Sequence, residues 1–251
     1  MRPQFTGSET IIGFFGGVFG GFVGLGGGIV MIPLMVHLMG LPQHMAHGNS
    51  LSAIVFTGMS GAITYFLMGS VDVTAALFLA VSAVVTARYG ALLARKLTSD
   101  NLRKYFGVFN IFVSLMLLLK DHFTHTNIYV HNFALKSVFL LLLGSLTGLT
   151  SGLFGVGGGT IMVPGLVMIL GASQHLAQGT SLLAMVPACF SGAFSYYRFG
   201  HVDLRIALGL SFGALLGGSL GGVIANHLPE FHLRVLFSLV LTVLGIKYIK
   251  R

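Results

Sequence analysis

Apolar residues run through this chain in long blocks, and polar residues gather in the short gaps between them. The first half carries apolar segments at about 9–24, 29–39, 45–68, 72–94 and 102–119. The second half carries them at about 137–155, 160–170, 176–199, 203–225 and 233–249. A helix needs about 20 residues to cross a hydrocarbon core of about 30 Å. The third, fourth and fifth segments of each half are long enough. The 29–39 and 160–170 segments are not: at about 1.5 Å per residue each reaches about halfway. The pattern predicts an all-α, polytopic integral membrane protein.

The two halves are one unit used twice. Shifted by about 131 residues, the chain aligns with itself without a gap from Gly13/Gly144 to about Val108/Leu239, with about 36 identities in about 96 positions. "LPQHMAHGNSLSAIV" falls on "ASQHLAQGTSLLAMV", and "YFLMGSVD" on "YYRFGHVD". Two such copies in a membrane point to the halves of a transporter. The boundaries are a first repeat at 1–120, an external connecting loop at 121–136 and a second repeat at 137–251, together forming one membrane domain.

Loop charge gives the orientation. Arg95–Lys104 holds four basic residues, whereas its equivalent Asn226–Arg234 has only Arg234 beside Glu230. One loop earlier the bias reverses: Met68–Thr74 has no basic residue and Arg198–Arg205 has two. Cytoplasmic loops of membrane proteins are enriched in Lys and Arg. Equivalent loops therefore fall on opposite sides, and the repeats are expected to be inverted, with both termini cytoplasmic. Inversion needs an odd number of crossings per half. Three full spans satisfy it if the first two segments form a re-entrant hairpin; five crossings are the alternative.

The hairpin would turn at "GLGGGIVMIP" (Gly24–Pro33) and "GVGGGTIMVP" (Gly155–Pro164). Glycine permits the positive φ of a sharp turn. A helix starting there aims unbonded N–H groups and a positive dipole end inward, which suits an anion. Gly26, Gly27, Gly28, Gly157, Gly158 and Gly159 are the candidates for that cradle. The competing reading is that they only let helices pack closely. The loops contain fragments of a dinucleotide fingerprint, but no strand precedes either one.

Composition narrows the function. Charged residues make up 8% of the chain, against about 25% for a soluble domain. The net charge of +8 belongs to segment ends and does not imply nucleic acid. A single cysteine, Cys189, allows no intrachain disulfide. The six carboxylates all fall at segment ends or in loops, unlike those of cation transporters and proton pumps. Asp72 and Asp203 read as helix N-caps. No metal-binding, nucleophile or Walker motif is present, so neither an enzyme nor a cofactor is expected.

Further candidates follow the breaks. Asn49, Ser50, Thr180 and Ser181 offer hydroxyls and an amide to oxyanion oxygens, or they cap helices and bond between them. Gln43, Gln174, His44 and His175 match between halves just before the long spans. Arg88 is the one charge well inside a long span, with Ser219 at its mirrored position. An intramembrane arginine is a functional candidate, or it snorkels to the nearby helix end.

The duplicated "GxGGG…P" followed by "GNS" or "GTS", then "YFLMGSVD" or "YYRFGHVD", resembles the TauE/SafE, or sulfite exporter, family over nearly the whole chain. The resemblance implies a prokaryotic inner-membrane permease exporting sulfite or an organosulfonate. Its partners would be a small sulfur oxyanion and the bilayer, with a homo-oligomer left open. The alternative is an anion pore, or a structural membrane protein whose glycines serve packing.

Overall fold

The computed structural model describes residues 7–118 and 133–229, with isolated helical positions between 231 and 246. Every element in this range is a helix. In order they are α1 (Ser8–Val23), α2 (Gly28–Leu38), α3 (Gln43–Leu67), α4 (Val73–Lys96), α5 (Ser99–Leu118), α6 (Phe133–Phe154), α7 (Gly159–Leu170), α8 (Gln174–Arg198) and α9 (Leu204–Asn226). Five of them, α3, α4, α6, α8 and α9, are long and apolar enough to cross a membrane. With the comparisons given below, this is a multi-pass membrane protein. The segment 233–249 falls largely outside the described residues, as does most of the connecting loop 121–136. The last four residues of that loop, Phe133–Lys136, are the first turn of α6.

Local chemistry explains the ends of these helices. The Asp72 carboxylate accepts from the N–H of Ala75, and Asp203 from those of Arg205 and Ile206. Both aspartates cap, as their position predicts. α1 stops at Gly24 and α2 starts after Gly27, with Gly24, Gly26 and Gly27 all at positive φ. Gly155, Gly157 and Gly158 repeat this between α6 and α7. Each break is thus a left-handed turn that side chains with a Cβ would strain.

The two halves are interlocked. On α1, Gly13, Gly17 and Gly21 press against the backbone of Leu210, Ala214 and Gly218 on α9. On α6, Gly144, Gly148 and Gly152 press in the same order against Leu79, Ala83 and Ala87 on α4. Both pairs run parallel, and each joins one half to the other. Lipid tails give helices no hydrophobic reason to associate, so contact at this range, which only missing Cβ atoms allow, supplies the attraction. α3 and α8, equivalent by duplication, cross antiparallel: Gly58 meets Leu182 and Val186, and Gly192 meets Leu51.

Candidate functional site

The two glycine breaks meet each other. Gly28 abuts Gly155 and Val156, and Gly159 abuts Gly24 and Leu25. Each break is held by the opposite half at the same place. The Ser50 hydroxyl donates to the Gly155 carbonyl at 2.6 Å, and the Ser181 hydroxyl donates to the Gly24 carbonyl at 2.7 Å. Both serines are fully buried. Behind them Tyr65 donates to the Gly21 carbonyl and Tyr196 to that of Gly152. Ile54 and its equivalent Met185 pack against the turns themselves.

One turn before each serine stands a residue that covers the facing break. His47 lies against Gly155, and Gln178 lies against Gly24. His47 is satisfied at both ring nitrogens: Nδ1 reaches the Leu153 carbonyl at 3.3 Å, and Nε2 reaches Gln43 Nε2 at 2.9 Å. The neutral tautomer that donates from Nδ1 and accepts from the Gln43 amide fits both bonds. Gln178 differs. Its Oε1 accepts from Tyr65 at 3.0 Å, but its Nε2 is buried with no partner among the described residues. Buried amide donors are nearly always bonded, so an orphan calls for a reason.

The helix starts at the breaks also carry unused donors. The first N–H groups of an α-helix have no acceptor within it. Gly28 and Ile29 begin α2 in this way, and Thr160 stands second in α7. The N–H of Gly159 is taken by the Gly157 carbonyl at 2.8 Å and lies 3.1 Å from Met185 Sδ. Thr160 is buried, and its hydroxyl makes no hydrogen bond among the described residues. Gly24 touches both Gln178, at its Cα, Cβ and Cγ, and Gly159, so the first break lies between Gln178 and the α7 start.

The remaining sequence candidates divide. Gly26 and Gly157 pack against Ile54, Gly27 against the Gly16 carbonyl, and Gly158 near that of Thr147. Asn49 and Thr180 hold loops instead of facing a break: Asn49 Oδ1 accepts from the N–H of Asp203, and Thr180 Oγ1 from that of Asp72. Gln43 supports His47, and Gln174 is buried at the start of α8. His44 stacks on His201 with centroids 5.2 Å apart, and His175 reaches the Ala225 carbonyl at 3.1 Å. Arg88 is not brought to the breaks. It lines a separate pocket of about 440 Å³ between α4 and α8. One carboxylate is more enclosed than its position in the sequence indicates: Glu9, second in α1, is 2% exposed, and its Oε2 has no partner among the described residues.

Sequence comparison adds the family to this geometry. The family model described as sulfite exporter TauE/SafE matches residues 10–248. The chain belongs to the TauE/SafE family. It is 28% identical to "Probable membrane transporter protein YunE" of Bacillus subtilis over 96% of each chain. It is 26% identical to "Probable membrane transporter protein MJ0441" of Methanocaldococcus jannaschii, over 94% of this chain and 92% of that one. A plant protein of Arabidopsis thaliana, "Sulfite exporter TauE/SafE family protein 3", is 33% identical over 34% of this chain and 18% of its own. No solved structure matches. The protein is therefore a TauE/SafE membrane transporter.

His47, Gln178, Thr160 and the two tyrosines were not among the residues singled out from the sequence. His47 and Gln178 open the very "HGNS" and "QGTS" motifs, on the same helix face as Gln43 and Gln174 four residues earlier. That spacing was the available signal.

Proposed function

We propose that this TauE/SafE protein exports a small oxyanion, of the sulfite or organosulfonate type, through the place where the two breaks meet between inverted repeats. The observation that carries the reading is the buried Gln178 Nε2, without a partner among the described residues, on a side chain that packs against the first break. It offers this break a neutral donor, and the α7 start that abuts the same break offers the Thr160 N–H and the dipole end of a short helix. Such a site attracts an anion without holding it as a fixed cation would. Gly26, Gly27, Gly28, Gly157, Gly158 and Gly159 shape it, and Ser50 and Ser181 fix its height. The antiparallel crossing of α3 and α8, together with the reversed loop charges, supports inversion of the halves. The loop charges also favour cytoplasmic termini, and the bacterial and archaeal relatives favour a prokaryotic inner-membrane location. α1 and α3 both run parallel to α9, so the short α2 brings the chain back, as a re-entrant hairpin requires.

The experiment compares Gln178→Leu and Thr160→Val with wild type for sulfite flux in proteoliposomes and for thermal unfolding. Gln178→Leu removes the unpartnered Nε2, and Tyr65 keeps the Gly21 carbonyl, so little loss of stability is expected, while flux falls at least tenfold. Unchanged flux in both variants would leave the second reading, which the backbone contacts of Gly27 and Gly28 favour: breaks that serve packing alone.

A further inference from the structure

The pocket between α4 and α8 is lined by Arg88, Arg95 and Arg198, together with Leu92, Phe194 and Phe199. Arg88, Leu92 and Arg95 follow one face of α4 at helical spacing, and Phe194 and Arg198 do the same on α8. The Arg95 guanidinium lies 5.0 Å over the Phe199 ring, which fixes its direction. Among the described residues, no carboxylate forms an ion pair with any of the three arginines. Three cations thus share about 440 Å³ with no counter-charge among the described residues.

The duplication supplies an internal control. At the mirrored positions stand Ser219 for Arg88, Asn226 for Arg95 and Leu67 for Arg198. The same helix pairing therefore recurs in the other half with no charge at any of these three positions. Packing does not need the arginines, and they mark one side of the membrane only.

The surroundings say what kind of anion fits. Tyr89 and Tyr197, next to Arg88 and Arg198 in the chain, are exposed, as tyrosines at a membrane–water boundary are. From there toward the membrane centre, the outer faces of α4 and α8 expose Val81, Val85 and Phe190. In a bilayer protein such residues face acyl chains. A charged end and an adjoining apolar surface are complementary to one molecule with a phosphate and a tail. We propose that this pocket holds the phosphate headgroup of an anionic lipid, from the leaflet on the arginine side. Basic pockets between transmembrane helices bind such headgroups, and a guanidinium grips phosphate oxygens in pairs. The assignment stands whether or not the protein carries an anion.

The test is native mass spectrometry of the detergent-solubilised protein, titrated with phosphatidylglycerol or phosphatidylcholine of equal chain length. Wild type is expected to retain phosphatidylglycerol preferentially. Arg95→Gln and Arg198→Gln should each weaken that preference about fivefold, and the triple variant with Arg88→Gln should abolish it. Thermal unfolding checks the fold of each variant, and Arg198→Gln decides the matter if the triple variant does not fold. Two results overturn the proposal. One is an unchanged preference in both folded single variants. The other is displacement of bound phosphatidylglycerol by millimolar sulfite or inorganic phosphate, with the variants losing affinity for those ions. That result would give the pocket to a soluble anion.

Discussion

Gly27 sits at φ +88, and a Cβ added there would run into the Gly16 carbonyl. Read from the sequence, a valine at Gly27 should block anion approach and leave insertion untouched. The contact leads to a different expectation. Gly27→Val should unseat the hairpin, lowering both purified yield and unfolding temperature, whereas Gly158→Val, facing the Thr147 carbonyl at 3.2 Å, should be the milder of the two. Thermal unfolding in detergent ranks them. A second residue-scale expectation concerns His201, in the loop between α8 and α9. Burial, with the nearby His44 and Arg95 charges, pushes its pKa below the usual 6.5. The folded protein therefore resists a proton that the unfolded chain accepts. Stability should be full above pH 6.5 and fall as pH drops from there toward the lowered pKa. His201→Gln should flatten that slope in unfolding curves between pH 7.5 and 5.5. At this scale the sequence was most legible where a group's partner is local, as in the Asp72 and Asp203 caps. It was least legible for Gln178, whose meaning depends on Gly24 and Tyr65, both far along the chain.

Among the elements, the helices fall close to the apolar segments, because apolar length and the glycine turns are properties of the chain itself. Which helix pairs with which is not. The glycine stripe at 13, 17 and 21 repeats at 144, 148 and 152, but nothing local says that its partner belongs to the opposite half. Replacing Gly17 or Gly148 with leucine should separate α1 from α9, or α6 from α4, and cause loss of folded protein on size-exclusion chromatography. Smaller changes probe the pins. Ser50→Ala and Ser181→Ala should each cost about 0.6–1.7 kcal/mol, the range for hydrogen bonds between membrane helices. Because the two pins hold abutting breaks, the double variant should depart from additivity in chemical unfolding.

For the whole molecule, the proposed export of an anion would take its energy from charge. Moving one negative charge out of a cell that is negative inside gains about 2.3 kcal/mol per 100 mV, nearly a fiftyfold gradient at about 1.4 kcal/mol per tenfold. Sulfite efflux from proteoliposomes should accelerate as a potassium–valinomycin potential makes the interior more negative, with pH equal on both sides. Flux that ignores voltage but follows a pH gradient would indicate proton coupling instead. The interlock of the halves also sets a timetable for biosynthesis. The Ser181–Gly24 pin joins residues 157 apart. A ribosome adding roughly 5–20 residues per second delivers Ser181 about 8–30 s after Gly24. During that interval the first break and the α1 glycine stripe sit in the bilayer without their partners. The newborn first half must be sheltered by the insertion machinery, and a nascent chain stalled before α8 should be a ready target for membrane proteases.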